Sequence, residues 1–386
     1  MSAVRSIRRS HRPAFVRVHE PAFWVFVILL VTGGVTTVGT LAELSSVSRS
    51  GWVLAWVLLT LYAIPIAVIV YRLDLYEREP IPLAVAAFVW GALGATGLAI
   101  EAAGWNDVLA SLWGTAGLDT WGHAVLTPLL EETVKGAGLV LLALFARDEF
   151  DDMMDGFVYG ALAGLGFAVV EDVVYFMAVF GGTPAGVLEG FSTRVLASGL
   201  YGHVLYTALV GMAIGVVAAD GPDAGPLGRR SWIAAGLTGA AIVGHIAWNL
   251  PTLTPDHGVW TPLVLVIKGV PLLVFVVLAV RVAHRRERRW LDRALADPAV
   301  AEVVTPGDAV LLRDAGARRR HAAAVRRRSG SRAAAVVRRL QREQVNLAMI
   351  VNEVPGDATA IASQRELCRS LRLAVEAIPG GREAEG

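Results

Sequence analysis

The chain has 386 residues, 55% of them hydrophobic and only 18% charged, with a mean hydropathy of +0.54. That balance excludes an ordinary soluble domain and points to a multi-pass membrane protein. The net charge of +1 says little as a total, because the signal lies in its distribution, and the single Cys368 excludes an intramolecular disulfide and leaves a cysteine metal site or catalytic dyad unsupported.

Residues 1–21 form a basic N-terminal segment containing Arg5, Arg8, Arg9, Arg12 and Arg17. Eight apolar runs follow, at 22–41, 51–71, 81–103, 120–146, 155–180, 191–219, 231–250 and 260–282. Each is close to the roughly 20 residues that a helix needs to cross the hydrocarbon core. The first run exceeds a signal-peptide h-region and no small-residue cleavage site closes it, so it is expected to be retained. The expected fold class is all-α: a polytopic bundle of about eight transmembrane helices over residues 22–283 and a cytoplasmic helical tail over 284–386.

The loops orient the bundle. Arg72 and Arg78 follow the second span, Arg147 the fourth, Arg229 and Arg230 the sixth, and an arginine cluster the eighth, whereas the intervening loops hold only Arg49 and Arg194. By the positive-inside rule both termini are cytoplasmic, which an even number of spans also requires. The chain is therefore expected in the cell membrane.

Four central spans carry ionisable side chains well inside their apolar runs: Glu131, Glu132 and Lys135; Glu171 and Asp172; His203; and His245. A charge near the bilayer centre costs roughly 2.5 to 3.5 kcal/mol on insertion scales, so such residues face a bundle interior and serve a task. Counted from the outer ends at 1.5 Å per residue, they fall into one layer of the outer half. Lys135 lies four and three residues after the two glutamates, within reach of either. In the fifth span Gly156, Gly160 and Gly164 recur every four residues, allowing close approach of another helix, and Phe167 and Glu171 continue that spacing. His245 and Asn249 share a face in the seventh span. Lysine occurs only at Lys135 and Lys268, both inside spans. Lys268 falls at the depth of the same layer, and a carboxylate partner is expected for it, Asp172 or Glu171 first.

The tail is rich in Arg and Ala, with breaks near Pro306, Ser329-Gly330-Ser331 and Pro355-Gly356. Val336, Leu340, Leu347 and Val351 share a helical face suited to a partner helix or small bundle. Arg285, Arg286, Arg288 and Arg289 adjoin the membrane and are expected to meet anionic lipid headgroups. Basic residues without interleaved aromatics give no reason to expect nucleic-acid binding.

Glu131-Glu132-x-x-Lys135, then Asp155-Gly156-Phe157-Val158-Tyr159-Gly160 leading through Gly166-Phe167 to Glu171, then His203 and finally His245 stand in separate spans in one order. In these motifs the stretch from about 120 to 250 resembles the PrsW family of intramembrane metalloproteases, relatives of the CAAX prenyl proteases. The resemblance implies a protease acting on membrane-anchored proteins, an anti-sigma factor being the known type of target, near the extracytoplasmic side. His245-x-x-x-Asn249 is similar to the last CAAX-protease motif, whereas Glu171 stands where those enzymes have histidine and Asp172 where many relatives have asparagine.

The residues support the same chemistry. Peptide hydrolysis needs an activated water, stabilisation of the oxyanion and a proton for the leaving amine. Glu131 or Glu132 suits the general base, with Lys135 restraining one of them, and Asn249 can orient an imidazole or a substrate carbonyl. Glu171, His203 and His245 form a two-histidine, one-carboxylate set able to hold Zn2+ with an open position for water; the same groups can also position water without a metal. The alternatives are a CAAX-type prenyl-protein protease, a non-catalytic membrane scaffold, or a proton-coupled transporter. The last would place its site between repeated halves, and no repeat relates 22–146 to 155–282.

Overall fold

The computed structural model describes residues 15–76, 79–113, 122–197, 202–219, 225–250, 261–353 and 357–378. Arg5, Arg8, Arg9, Arg12, Arg78 and the Pro355-Gly356 break lie outside them. The regular structure described is helical throughout, and the chain divides into two compact units.

The first unit, residues 14–74 and 78–281, is the membrane bundle. Its helices are α1 (Pro21–Ser45), α2 (Arg49–Leu73), α3 (Ile81–Val89) running through a π-helical turn, Trp90–Ala95, into α4 (Thr96–Trp113), α5 (Thr127–Phe145) after a π turn at Gly122–Leu126, and α6 (Met153–Ala178). Then come the short α7 (Pro184–Gly190) with a π-helical extension Phe191–Leu196, α8 (His203–Ala218), α9 (Leu227–Asn249) and α10 (Thr261–Leu295), which leaves the bundle at Arg281. Local chemistry sets several starts. The Ser48 hydroxyl accepts the Gly51 N–H, Asp152 and Asp155 form a reciprocal capping box, and Thr183 caps α7 ahead of Pro184.

Six helices among the described residues are long and apolar enough to cross a membrane. The expected fourth and sixth spans differ from these for separate reasons. Glu131, Glu132 and Lys135 make α5 too polar to qualify on composition, and the sixth apolar run is not one helix. Its first part is the π-helical Phe191–Leu196, and α8 begins afresh after Gly202, with 16 residues. His203 is thus the first residue of a helix and not a residue deep within a continuous span.

α6 is the central helix, buried almost without interruption from Met153 to Val173. The glycine stripe explains how closely it accepts α8. A Cβ on Gly156, Gly160 or Gly164 would overlap a carbonyl oxygen of α8, that of Gly211, Thr207 or His203 respectively, and a Cβ on Gly211 would overlap the Gly156 carbonyl in return. Two backbones therefore touch along a shared groove that ends at His203. Opposite, the fully buried Trp90 fills the notch left by Gly138 and donates its indole N–H to the Lys135 carbonyl at 3.2 Å, fixing α5. Valines, leucines and isoleucines exposed along α1, α2 and α10, such as Ile28, Val35, Leu61 and Leu278, form the apolar exterior that lipid would solvate.

The second unit gathers Leu75, Tyr76 and the residues from Val282 onward. After α10 come α11 (Pro298–Ala301), α12 (Pro306–Leu312), α13 (Ala315–Glu353) and α14 (Ala358–Glu376). α13 turns at Gly330, whose φ of 87° lies in the left-handed region. Leu347 and Val351 enter a buried core with Val345, Leu312, Leu291 and Cys368, while Leu340 is buried outside that cluster and Val336 only partly buried, so the C-terminal half of the expected apolar face closes a small bundle within the chain. Burial pushes the Cys368 thiol up to about 12. Arg285, Arg288 and Arg289 are exposed.

Candidate active site

Four elements deliver the expected site residues to one layer: the first turns of α5 bring Glu131, Glu132 and Lys135, the last turns of α6 bring Glu171, the start of α8 brings His203, and the end of α9 brings His245 and Asn249. All except Glu132 and Lys135 line one cavity of about 270 Å³, together with Arg194, Asp172 and Tyr206. Lys135 is fully buried and Glu132 nearly so, directly behind the wall.

Glu132 is fully engaged. Its Oε1 accepts the Lys135 ammonium at 2.6 Å and lies 3.1 Å from His245 Nδ1, while Oε2 accepts the Thr207 hydroxyl at 3.1 Å. Glu131 is the opposite case. Its Oε2 is buried and accepts no hydrogen bond, yet lies 3.6 Å from the Lys135 ammonium and 3.7 Å from both His203 Nδ1 and His245 Nε2. The two adjacent carboxylates, about 100° apart on the helix, thus occupy different environments.

The imidazoles share one arrangement. His245 Nδ1 faces Glu132, and His203 Nε2 faces Glu171 Oε2 at 2.8 Å, so each ring has a carboxylate behind one nitrogen and presents the other to Glu131. Packing fixes the ring planes: Tyr206 stacks on His245 with centroids 4.5 Å apart and planes 12° apart, and Phe167 lies against His203 at 4.9 Å. The Lys135 ammonium sits 3.0 Å from His203 Nδ1 and 4.2 Å above the centre of the Phe167 ring.

Glu131, Glu132, His203 and His245 each offer a donor atom, all within 4.8 Å of one another. Two imidazole nitrogens facing a buried oxygen that accepts no hydrogen bond match the donor chemistry of a zinc-type ion. Glu171, expected among the ligands, stands outside that group, on the far side of the His203 ring.

Sequence reasoning gave Arg194 only as a basic residue at the start of the sixth span. Its Nη2 donates to Glu171 Oε2 at 2.7 Å and its Nε to Asp172 Oδ1 at 2.6 Å, with the guanidinium 3.7 Å from the centre of the Tyr175 ring. The cation expected there was Lys268, whose ammonium instead donates to the Trp248 carbonyl at 2.6 Å, capping the end of α9 one residue before Asn249. The available signal for Arg194 was its isolation, a basic residue where the loop charges predict none. Tyr206 and Thr207 carried no signal beyond lying one turn after His203.

A family model described as PrsW family intramembrane metalloprotease matches residues 79–281. Protease PrsW of Geobacillus kaustophilus (strain HTA426) is 30% identical over 145 residues, which cover 38% of this chain and 58% of that protein. The chain thus spans little more than half the length of that curated relative. No solved structure matches. The model match takes in more than half of the 386 residues and every residue of the layer around Glu131, and by it this multi-pass membrane chain belongs to the PrsW family of intramembrane metalloproteases.

Proposed function

We propose that the protein hydrolyses peptide bonds of membrane-anchored proteins, in a water-holding cavity toward the extracytoplasmic side of the bundle. One observation carries this reading. Glu131 Oε2, buried without a hydrogen bond, faces His203 Nδ1 and His245 Nε2 at 3.7 Å each, too far for direct bonds and spaced for a small species between them. His203 and His245, with Glu131 opposite, would hold a divalent ion, zinc by donor chemistry. Bound there, the ion would polarise the scissile carbonyl as a Lewis acid.

The chain's own residues divide the remaining work. Glu131, with an oxygen free toward the cavity, takes the proton of the attacking water and returns it to the leaving amine. Glu132 cannot do so while it serves Lys135, Thr207 and His245. Its role is to hold the His245 ring, and that of Lys135 is to neutralise the paired carboxylates within a desolvated helix. Asn249, on the cavity wall one turn beyond His245, orients the substrate carbonyl. An anti-sigma factor fits the substrate class, and the exposed Arg285, Arg288 and Arg289, with Arg286, would meet anionic headgroups where α10 leaves the bundle.

Quantitative proteomics of membranes containing the native protein or a Glu131→Gln variant tests the reading. Released fragments should appear only with the native protein. Identical fragment profiles would reject proteolysis at this site.

A further inference from the structure

Two histidines face Glu131, and each is held from behind by a carboxylate that is itself held by a cation. For His245 the chain of contacts is Glu132 and Lys135, three residues apart on one helix. For His203 it is Glu171 and Arg194, brought together from α6 and from the separate π-helical segment Phe191–Leu196. The second chain lies outside the motifs that carry the family resemblance at its last link.

We propose that Arg194 is a positioning residue for His203: it locks Glu171 so that the carboxylate accepts the Nε2–H of His203, which fixes the ring with Nδ1 beside the Lys135 ammonium at 3.0 Å and Glu131 Oε2 at 3.7 Å. This rests on the reading of His203 as a nitrogen donor. The geometry is specific. One guanidinium fork takes Glu171 through Nη2 and Asp172 through Nε, and its central carbon lies 3.7 Å over the Tyr175 ring, so the Glu171 side chain loses its freedom to rotate away from the His203 ring. Glu171 Oε2 receives both Arg194 and His203, at 2.7 and 2.8 Å. An imidazole whose Nε2 donates to a carboxylate is held as the tautomer that carries no proton on Nδ1. Lysine does not reproduce the fork, because an ammonium has no second nitrogen to fix the directions of Glu171 and Asp172 separately and no planar face to lie over Tyr175.

The test uses the full-length protein in detergent, with two readouts that need no substrate. Co2+ affinity is measured by its absorption bands, and the His203 tautomer by nitrogen NMR of histidine-labelled protein, with His203→Gln for assignment. Arg194→Gln should weaken Co2+ binding by about 10- to 100-fold, as expected for loss of a partner behind a ligand. The His203 Nε2–H resonance should move and exchange faster with water as Glu171 loosens, Lys135 still keeping the proton off Nδ1, and the His245 signal should stay as it was. In a Glu171→Gln background the same substitution should add little, since both act through one path. Should Arg194→Gln fail to fold, Arg194→Lys, which keeps the charge, should show the same change at the Nε2–H. A variant that is less heat-stable but keeps the native Nε2–H resonance and exchange rate, with Co2+ affinity within about threefold, would make Arg194 a structural staple and overturn the proposal. If the native protein binds no Co2+, the metal reading fails separately, and the Nε2–H comparison alone decides the role of Arg194.

Discussion

Replacing Gly164 by alanine should disable the site without touching any of its side chains. The added Cβ would overlap the His203 carbonyl oxygen and stand 2.7 Å from the His203 carbonyl carbon and 3.0 Å from Val204 Cα. Restoring carbon separations of about 3.5 to 4.0 Å pushes the start of α8 away from α6 by about 1 Å. His203 is the first residue of α8, so the shift passes directly to its ring and stretches the 2.8 Å contact with Glu171. A misplacement of about 1 Å costs on the order of a hundredfold in rate, and overpacking of this kind about 1 to 3 kcal/mol of stability. Gly156 supplies the control. A Cβ there meets Gly211 and Met212 as tightly, but eight residues, about 12 Å, farther along the helix. Both variants should lose similar thermal stability in detergent, while only Gly164→Ala should lose most of its cleavage of a substrate found by the proteomic comparison. Equal rates for the two variants at equal stability would refute the link between the glycine groove and the site.

Glu131→Gln should abolish cleavage while leaving thermal stability near that of the native protein, because its Oε2 accepts no hydrogen bond to lose; a large drop in melting temperature would contradict this. Lys135→Met leaves the buried Glu132 without its cation, and unfolding in detergent should show a loss of about 3 to 5 kcal/mol. Glu79, just before α3, is buried with the Tyr159 hydroxyl donating to it, and burial holds its carboxyl well above the ordinary range. A group raised in the folded state favours folding below its unfolded value of about 4.3 and loses that contribution as pH rises through the folded value. Glu79→Gln should therefore flatten the fall in stability above pH 4.3, and an unchanged pH profile would refute it. Cys368, buried with its thiol raised to about 12, should resist alkylation at pH 8 until denaturant opens the tail.

Much of the site was legible because one-dimensional spacing has three-dimensional meaning on a helix. The i, i+3 and i, i+4 offsets of Lys135 gave its two carboxylate partners, and the four-residue glycine period gave the face against which α8 packs. Depth counting brought Glu131, Glu171, His203 and His245 to one layer. The helix break before His203 was not legible, because apolar residues flank it on both sides and a hydropathy window averages across it. Nor was the partner of Glu171. Lys268 and Arg194 both lie near the right depth, and what separates them is which element turns toward α6, a tertiary fact with no local period. The placement of Glu171 outside the group of Glu131, Glu132, His203 and His245 follows from the same limit: spacing shows which helices supply donors but not which side of an imidazole each will face.

The polarity of α5 has a consequence for how the protein is made. Near a helix centre a charged residue opposes insertion by about 2.5 to 3.5 kcal/mol, and Glu131, Glu132 and Lys135 leave the translocon on one 19-residue segment. Lys135 and Glu132 can pair at once, but Thr207 and His245, the other partners of Glu132, are synthesised 72 and 110 residues after Lys135. At about 5 to 20 residues per second, α5 waits several seconds or more for them. A ribosome stalled before α8 would leave the segment poorly anchored and recognisable to quality control, so the layer around Glu131 is complete only in a chain whose first nine helices have all been delivered to the bilayer.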